Sequence, residues 1–102
     1  MSTLARMRLL PEYIEAIREG RKTTTIRIGK RGVATSELIF ESVADSIKVQ
    51  VLSIYYRKYS QLTEADAQRD GFNTLQELET ALNTIYPTIK PHTWFTVIEF
   101  RV

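Results

Sequence analysis

The sequence predicts an α+β domain: a small, curved, mixed β-barrel flanked by about three helices. Three observations carry that reading. Short β-branched stretches are bounded by glycines or charged turns, two segments repeat apolar residues at helical spacing with a third short one bounded by a cap and a glycine, and the longest β stretch switches its apolar parity once. At 102 residues with 43% hydrophobic content, the chain suits a single domain spanning 1-102, and no repeat or low-complexity segment divides it.

The segment "PEYIEAIREG" places Leu10, Tyr13, Ile14 and Ile17 on one helical stripe, with Pro11 suited to a first turn and Gly20 to a left-handed stop. "KTTTIRI" then reads as a strand with Thr24, Ile26 and Ile28 facing inward and Thr23, Thr25 and Arg27 on the other face. "IGKRGVATS", residues 28–36, is a loop by its glycines and charges, and "ELIFESV" is a second strand. Apolar residues alternate through Ile47, Val49 and Val51, then shift to Leu52, Ile54 and Tyr56, so a bulge or bend falls near Ser53. "LTEADAQRDGF" is a short helix capped by Thr63 and stopped by Gly71. "NTLQELETALNTIYP" is the clearest helix, with Leu75, Leu78, Leu82 and Ile85 in register after a cap at Asn73 or Thr74. "HTWFTVIEFRV" closes the chain as an aromatic, β-branched strand, with His92 at its start.

Composition excludes several chemistries. Without cysteine there is no disulfide, thiol nucleophile or thiolate metal site, and one histidine supports neither a zinc site nor a serine triad. The opening residues lack a secretory signal and no stretch is long and apolar enough to span a membrane, so a cytoplasmic monomer is expected. The net charge of +2 is mild for bulk nucleic-acid binding, but its distribution is uneven. Arg21, Lys22, Arg27, Lys30 and Arg31 share one stretch, while Glu64, Asp66, Asp70, Glu77 and Glu79 gather later.

Alone, "TTT" reads as β-propensity and Lys22 and Arg27 as solvated surface. Their spacing adds more. Thr25 and Arg27 share a strand face and Lys22 sits where the chain leaves the helix, which groups a hydroxyl, an amine and a guanidinium. A threonine becomes nucleophilic once a base takes its proton, and a lysine serves as that base when burial or a cation such as Arg21 or Arg27 lowers its pKa. A carboxyl acid from the later acidic stretch would protonate the leaving atom, although spacing alone does not select which one.

"GRKTTTIR", "LTEADAQRDGFNTLQELETALNTIYP" and the terminal "FTVIEF" together resemble the ASCH domains of the PUA-like superfamily, most closely the small bacterial N4-acetylcytidine amidohydrolases. The resemblance implies a cofactor-free and metal-free hydrolase of N4-acylated cytidines. It implies Lys22 as proton acceptor, Thr25 as nucleophile and, where that family has glutamate, Asp70 as proton donor. Arg27, Arg21, Tyr59 and Phe72 are the expected substrate contacts. The alternative is a non-catalytic PUA-like module with RNA as its partner, for which "YYRKY" supplies Tyr55, Arg57 and Tyr59 as a stacking platform. A domain serving only interactions within a regulatory complex is a third reading.

Overall fold

Pro11 opens helix α1 (Pro11–Arg18), since its missing N–H costs nothing in a first turn, and Gly20 at φ +80° ends the helical path. The computed structural model describes residues 5–33 and 36–102, so residues 34 and 35 of the expected 28–36 loop lie outside the described residues, as do residues 1–4. The carbonyl of Ala16 accepts from both Arg21 N (2.9 Å) and Lys22 N (3.2 Å), which turns the chain sharply out of α1. Strand β2 (Thr24–Ile28) therefore begins two residues later than its β-branched composition suggests.

Strands β3 (Glu37–Glu41), β4 (Ser46–Lys58) and β5 (Trp94–Arg101) follow the expected stretches. A further strand, β1 (Ala5–Arg8), was not anticipated, because "ARMR" is four residues long with two arginines and carries little strand signal. The sheet runs β1-β3-β4-β5-β2, with β1 parallel to β3 and every other pair antiparallel. Its single irregularity lies where the parity switch places it: Val51 pairs with Phe100, Ser53 with Glu99, and Leu52 between them is unpaired. The sheet curls into a half-barrel. Its two terminal strands approach so closely that Arg27 Nη2 of β2 donates to the Arg8 carbonyl of β1 at 2.9 Å.

Helix α2 (Glu64–Arg69) is capped at Thr63, whose Oγ1 accepts from Asp66 N while its own N–H donates to the Asp66 carboxylate. Helix α3 (Leu75–Ile85) is capped by Thr74, not Asn73. One core lies beneath these helices, built on Ile26, Leu78, Leu82, Phe95 and Val97. A second lies on the opposite face, around Leu38, Phe40, Val49, Ile98 and Phe100, and receives Ile17 from α1. Neighbours Val97 and Ile98 thus enter different cores, and the central strand β5 is buried on both faces. For β2 the one-sided expectation is corrected: Thr24, Thr25 and Ile26 are all buried, because α2 and α3 cover one face while the curl of the sheet encloses the other.

Two residues of the helical stripes depart from expectation. Leu10 and Ile85 are more than half exposed and rim a cavity instead of filling a core. His92 is exposed, and the turn before β5 is held by Thr93, whose Oγ1 accepts from Lys90 N. Gly71 follows α2 at φ +98°, and a Cβ there would meet Lys22 Cβ at 3.3 Å. Gly71→Ala is expected to cost about 1–2 kcal/mol from left-handed strain, with added crowding against Lys22. A lowered denaturation midpoint at unchanged slope checks this, with Gly32→Ala, where a Cβ meets open space, as the near-neutral control.

Candidate active site

A cavity of about 440 Å³ opens between the start of α1, strand β2, the β3–β4 turn and helix α3. That volume suits one small organic molecule. Much of its wall is apolar, from Leu9, Phe72, Leu78, Leu82 and Tyr86 among others, with Leu10, Val43 and Ile85 at the exposed rim. Its charged wall consists of Arg8, Lys22, Arg27 and Asp70, and Thr25 borders the same space.

Lys22 and Asp70 are only 4% and 6% exposed, and they find each other across 48 positions of sequence. Lys22 Nζ donates to Asp70 Oδ1 at 2.8 Å and to the Asp70 carbonyl at 3.2 Å. Asp70 is the C-cap residue of α2, so the end of that helix is fastened to the start of β2. A backbone bond from Thr23 N to Arg69 O at 2.7 Å holds the same junction. Thr24 Oγ1 also points at Asp70 Oδ1, at 3.4 Å.

Burial pushes the Lys22 ammonium below the ordinary lysine range; the Asp70 carboxylate offsets this in part, and the nearby Arg27 charge adds to the fall. Burial likewise pushes the Asp70 carboxyl above its ordinary value against the pull of Lys22, Thr24 and Arg27. Both shifts favour the neutral partners, amine and carboxylic acid, over the ion pair. The pair shares one exchangeable proton and titrates as a unit.

Phe72 joins this wall as expected, its ring set edge-on to Tyr13 at 6.1 Å. The Lys22 ammonium lies 5.4 Å from the centre of the Tyr13 ring. Two expected contacts are displaced. Arg21 is exposed and bonds Glu19 through Nε at 2.9 Å, because the tight turn at Ala16 points it away from the cavity. Tyr59 belongs to a 3₁₀ turn (Tyr59–Gln61) and not to β4; its ring packs near Phe95 and its hydroxyl accepts from Asn83, outside the cavity. Glu64 is occupied in capping, accepting from Leu75 N at 3.0 Å.

Residue reasoning missed Thr24 as a partner of Asp70, and Tyr13, Tyr86 and Arg8 as cavity wall. Tyr86 lies within the "IYP" already singled out, and Tyr13 on the α1 stripe, so for these two a signal was present. Arg8 had none, since β1 itself went unread. Phe95 enters the core while Trp94 stays half-buried at the surface, away from the cavity.

Among solved structures, an ASCH domain from Lactobacillus crispatus superposes with a TM-score of 0.81 at 11% identity, covering 98% of this chain and 79% of that one. A protein from Enterococcus faecalis gives 0.76 at 14% identity, over 100% and 81%. An ASCH protein from Zymomonas mobilis gives 0.69 at 19% identity, over 95% and 66%. No protein-family model and no curated protein matches the chain. The chain has the ASCH-domain fold.

The buried pair sets a stability test. Lys22→Met leaves the buried Asp70 carboxyl without its hydrogen-bond partner and is expected to cost roughly 1–3 kcal/mol at neutral pH, whereas Lys22→Met with Asp70→Leu recovers part of that loss. Denaturant titration of both variants checks it, and equal losses would argue against the coupling.

Proposed function

We propose that the chain is an amidohydrolase that cleaves the exocyclic amide of N4-acetylcytidine and related N4-acylated cytidines to cytidine and a carboxylate. The observation that carries this reading is the buried Lys22–Asp70 pair, biased toward its neutral forms, on the wall of a cavity that Thr25 and Arg27 also border. An amine and a carboxylic acid side by side are a general base and a general acid ready at the same pH.

In the proposed reaction the neutral Lys22 amine takes the Thr25 hydroxyl proton as the oxygen attacks the acyl carbon. Negative charge then develops on the former carbonyl oxygen, in a cavity where Lys22 has become an ammonium. As the carbon–nitrogen bond breaks, Asp70 delivers its proton to N4 and cytidine leaves as a neutral amine. Water then releases the acyl group as a carboxylate. If Lys22 activates water directly, the same two proton transfers suffice; a threonine-bound acyl adduct in the mass spectrum of quenched enzyme distinguishes the routes. None of these steps requires a metal.

A non-catalytic RNA-binding module is the second reading, supported by a basic, aromatic face on the other end of β5. There Lys30 and Lys58 lie 4.1 and 5.3 Å from the Trp94 ring centre, and neither has an ion-pair partner among the described residues. RNA affinity that falls steeply with salt would favour this face as the functional one.

Cytidine release from N4-acetylcytidine by purified protein with chelator present is the direct test, and Thr25→Ala is expected to abolish it while keeping the wild-type circular dichroism spectrum. Asp70→Asn is expected to lower kcat/KM by about 10²–10⁴. The pH profile makes a sharper demand. In the wild type the active form holds one proton on the pair, so activity falls when a second proton reaches Lys22 in acid and when Asp70 loses its proton in alkali. Asp70→Asn should remove the alkaline limb and leave the acid limb nearly in place, since Lys22 then titrates beside a neutral group in both proteins. An alkaline limb that survives unchanged would eliminate Asp70 as the acid.

A further inference from the structure

The cavity carries more positive charge than an uncharged nucleoside uses. Three cations, Arg8, Lys22 and Arg27, and one carboxylate, Asp70, border it. Whichever partner of the Lys22–Asp70 pair holds the shared proton, that pair is neutral as a unit, so Arg8 and Arg27 remain uncompensated. Of the nearby carboxylates, Glu41, the register partner of Arg8, pairs with Arg6 at 3.1 Å and Asp45 is held by Arg18, while Glu12, four residues on from Arg8, makes no ion pair with it among the described residues. Glu19 is held by Arg21.

Arg27 is partly buried and makes no ion pair among the described residues; its hydrogen bond to the Arg8 carbonyl sets the Arg27 guanidinium against the backbone of Arg8, and both residues line the cavity. Burial disfavours the Arg27 charge most and Arg31 adds to this, while Tyr86 and Asp70 offset it in part. A guanidinium cannot escape such a setting by losing its proton at neutral pH, as a lysine can. Like charges gathered at a partly desolvated wall are relieved by a bound anion, and a planar guanidinium matches two oxygens of a phosphate.

We infer that Arg8 and Arg27 form a phosphate subsite, so that the site takes the monophosphate of an N4-acylated cytidine in preference to the nucleoside. The amide chemistry rests on the function proposed above; the phosphate subsite does not. A cavity of about 440 Å³ has room for one nucleotide, and a phosphate dianion would balance the two arginines. The preference over an RNA chain follows from the small number of cations at the wall, two beyond the neutral pair, which is enough for one phosphate group and too few for a tracked backbone.

Isothermal titration of the intact protein with cytidine and with cytidine 5′-monophosphate tests the subsite without using turnover. The monophosphate is expected to bind at least about tenfold tighter, with a preference that shrinks as salt rises. Arg8 is exposed, so Arg8→Gln should fold normally and bring the two affinities within about twofold of each other. Equal affinities in the wild type, no binding of the monophosphate, or an unchanged preference in Arg8→Gln would each overturn the inference. So would tighter binding of a cytidine-containing trinucleotide than of the monophosphate, which would place the phosphate in an RNA chain. Strong monophosphate preference without amide hydrolysis would support the subsite while sinking the amidohydrolase reading, and hydrolysis with no phosphate preference would do the reverse.

Discussion

The buried contact between Lys22 and Asp70 is the constraint around which the rest of the molecule is arranged. Removing two ionisable groups from water costs several kcal/mol each, and their attraction repays this only with good geometry and further hydrogen bonds. Here Asp70 receives Lys22 through both its side chain and its carbonyl, with Thr24 as an additional donor. To bring these groups together, α1 must end at Arg18 with the chain turning back onto the Ala16 carbonyl, α2 must end at Asp70, and Gly71 must take a conformation that leaves room for the Lys22 stem. The two apolar cores on either face of the sheet supply the stability against which this arrangement is held.

Strand β2 shows how closely local structure and chemistry are interleaved. Three consecutive buried residues serve three purposes: Thr24 supports Asp70, Thr25 borders the cavity and Ile26 belongs to a core cluster. Alternation on a strand normally separates a wet face from a dry one. Because this sheet is covered on one side by helices and curls over the other, no residue of "TTI" is left for solvent, and a run of threonines is a natural choice where β-branched shape and a hydroxyl are both wanted.

Much of this architecture was legible in the chain. Helix α3 declared itself through the spacing of Leu75, Leu78 and Leu82, and the bulge at Leu52 through a parity switch, because both signals are local and periodic. Strand β1 was not, since four residues with alternating arginines gain their strand character from pairing with β3, a contact more than 30 positions away. The resemblance to ASCH domains named Lys22 and Asp70 in separate roles, and neither it nor the spacing announced that the two side chains meet. Arg21 and Tyr59 were misplaced for a related reason: a one-residue difference in where a helix turns or a strand gives way to a 3₁₀ turn redirects a side chain entirely.

The hydrogen bond from Arg27 to the Arg8 carbonyl has a reach beyond the cavity. An open five-stranded sheet has two free edges, each a row of backbone groups on which another chain could template itself and begin to aggregate. In this fold the two edges are curled toward one another, and the guanidinium occupies an acceptor on one edge from a base on the other. A side chain thus completes what a sixth strand would do in a closed barrel, and it leaves the interior accessible at the seam. The protection of its edge strands and the accessibility of its cavity then have a common origin in how far the sheet curls.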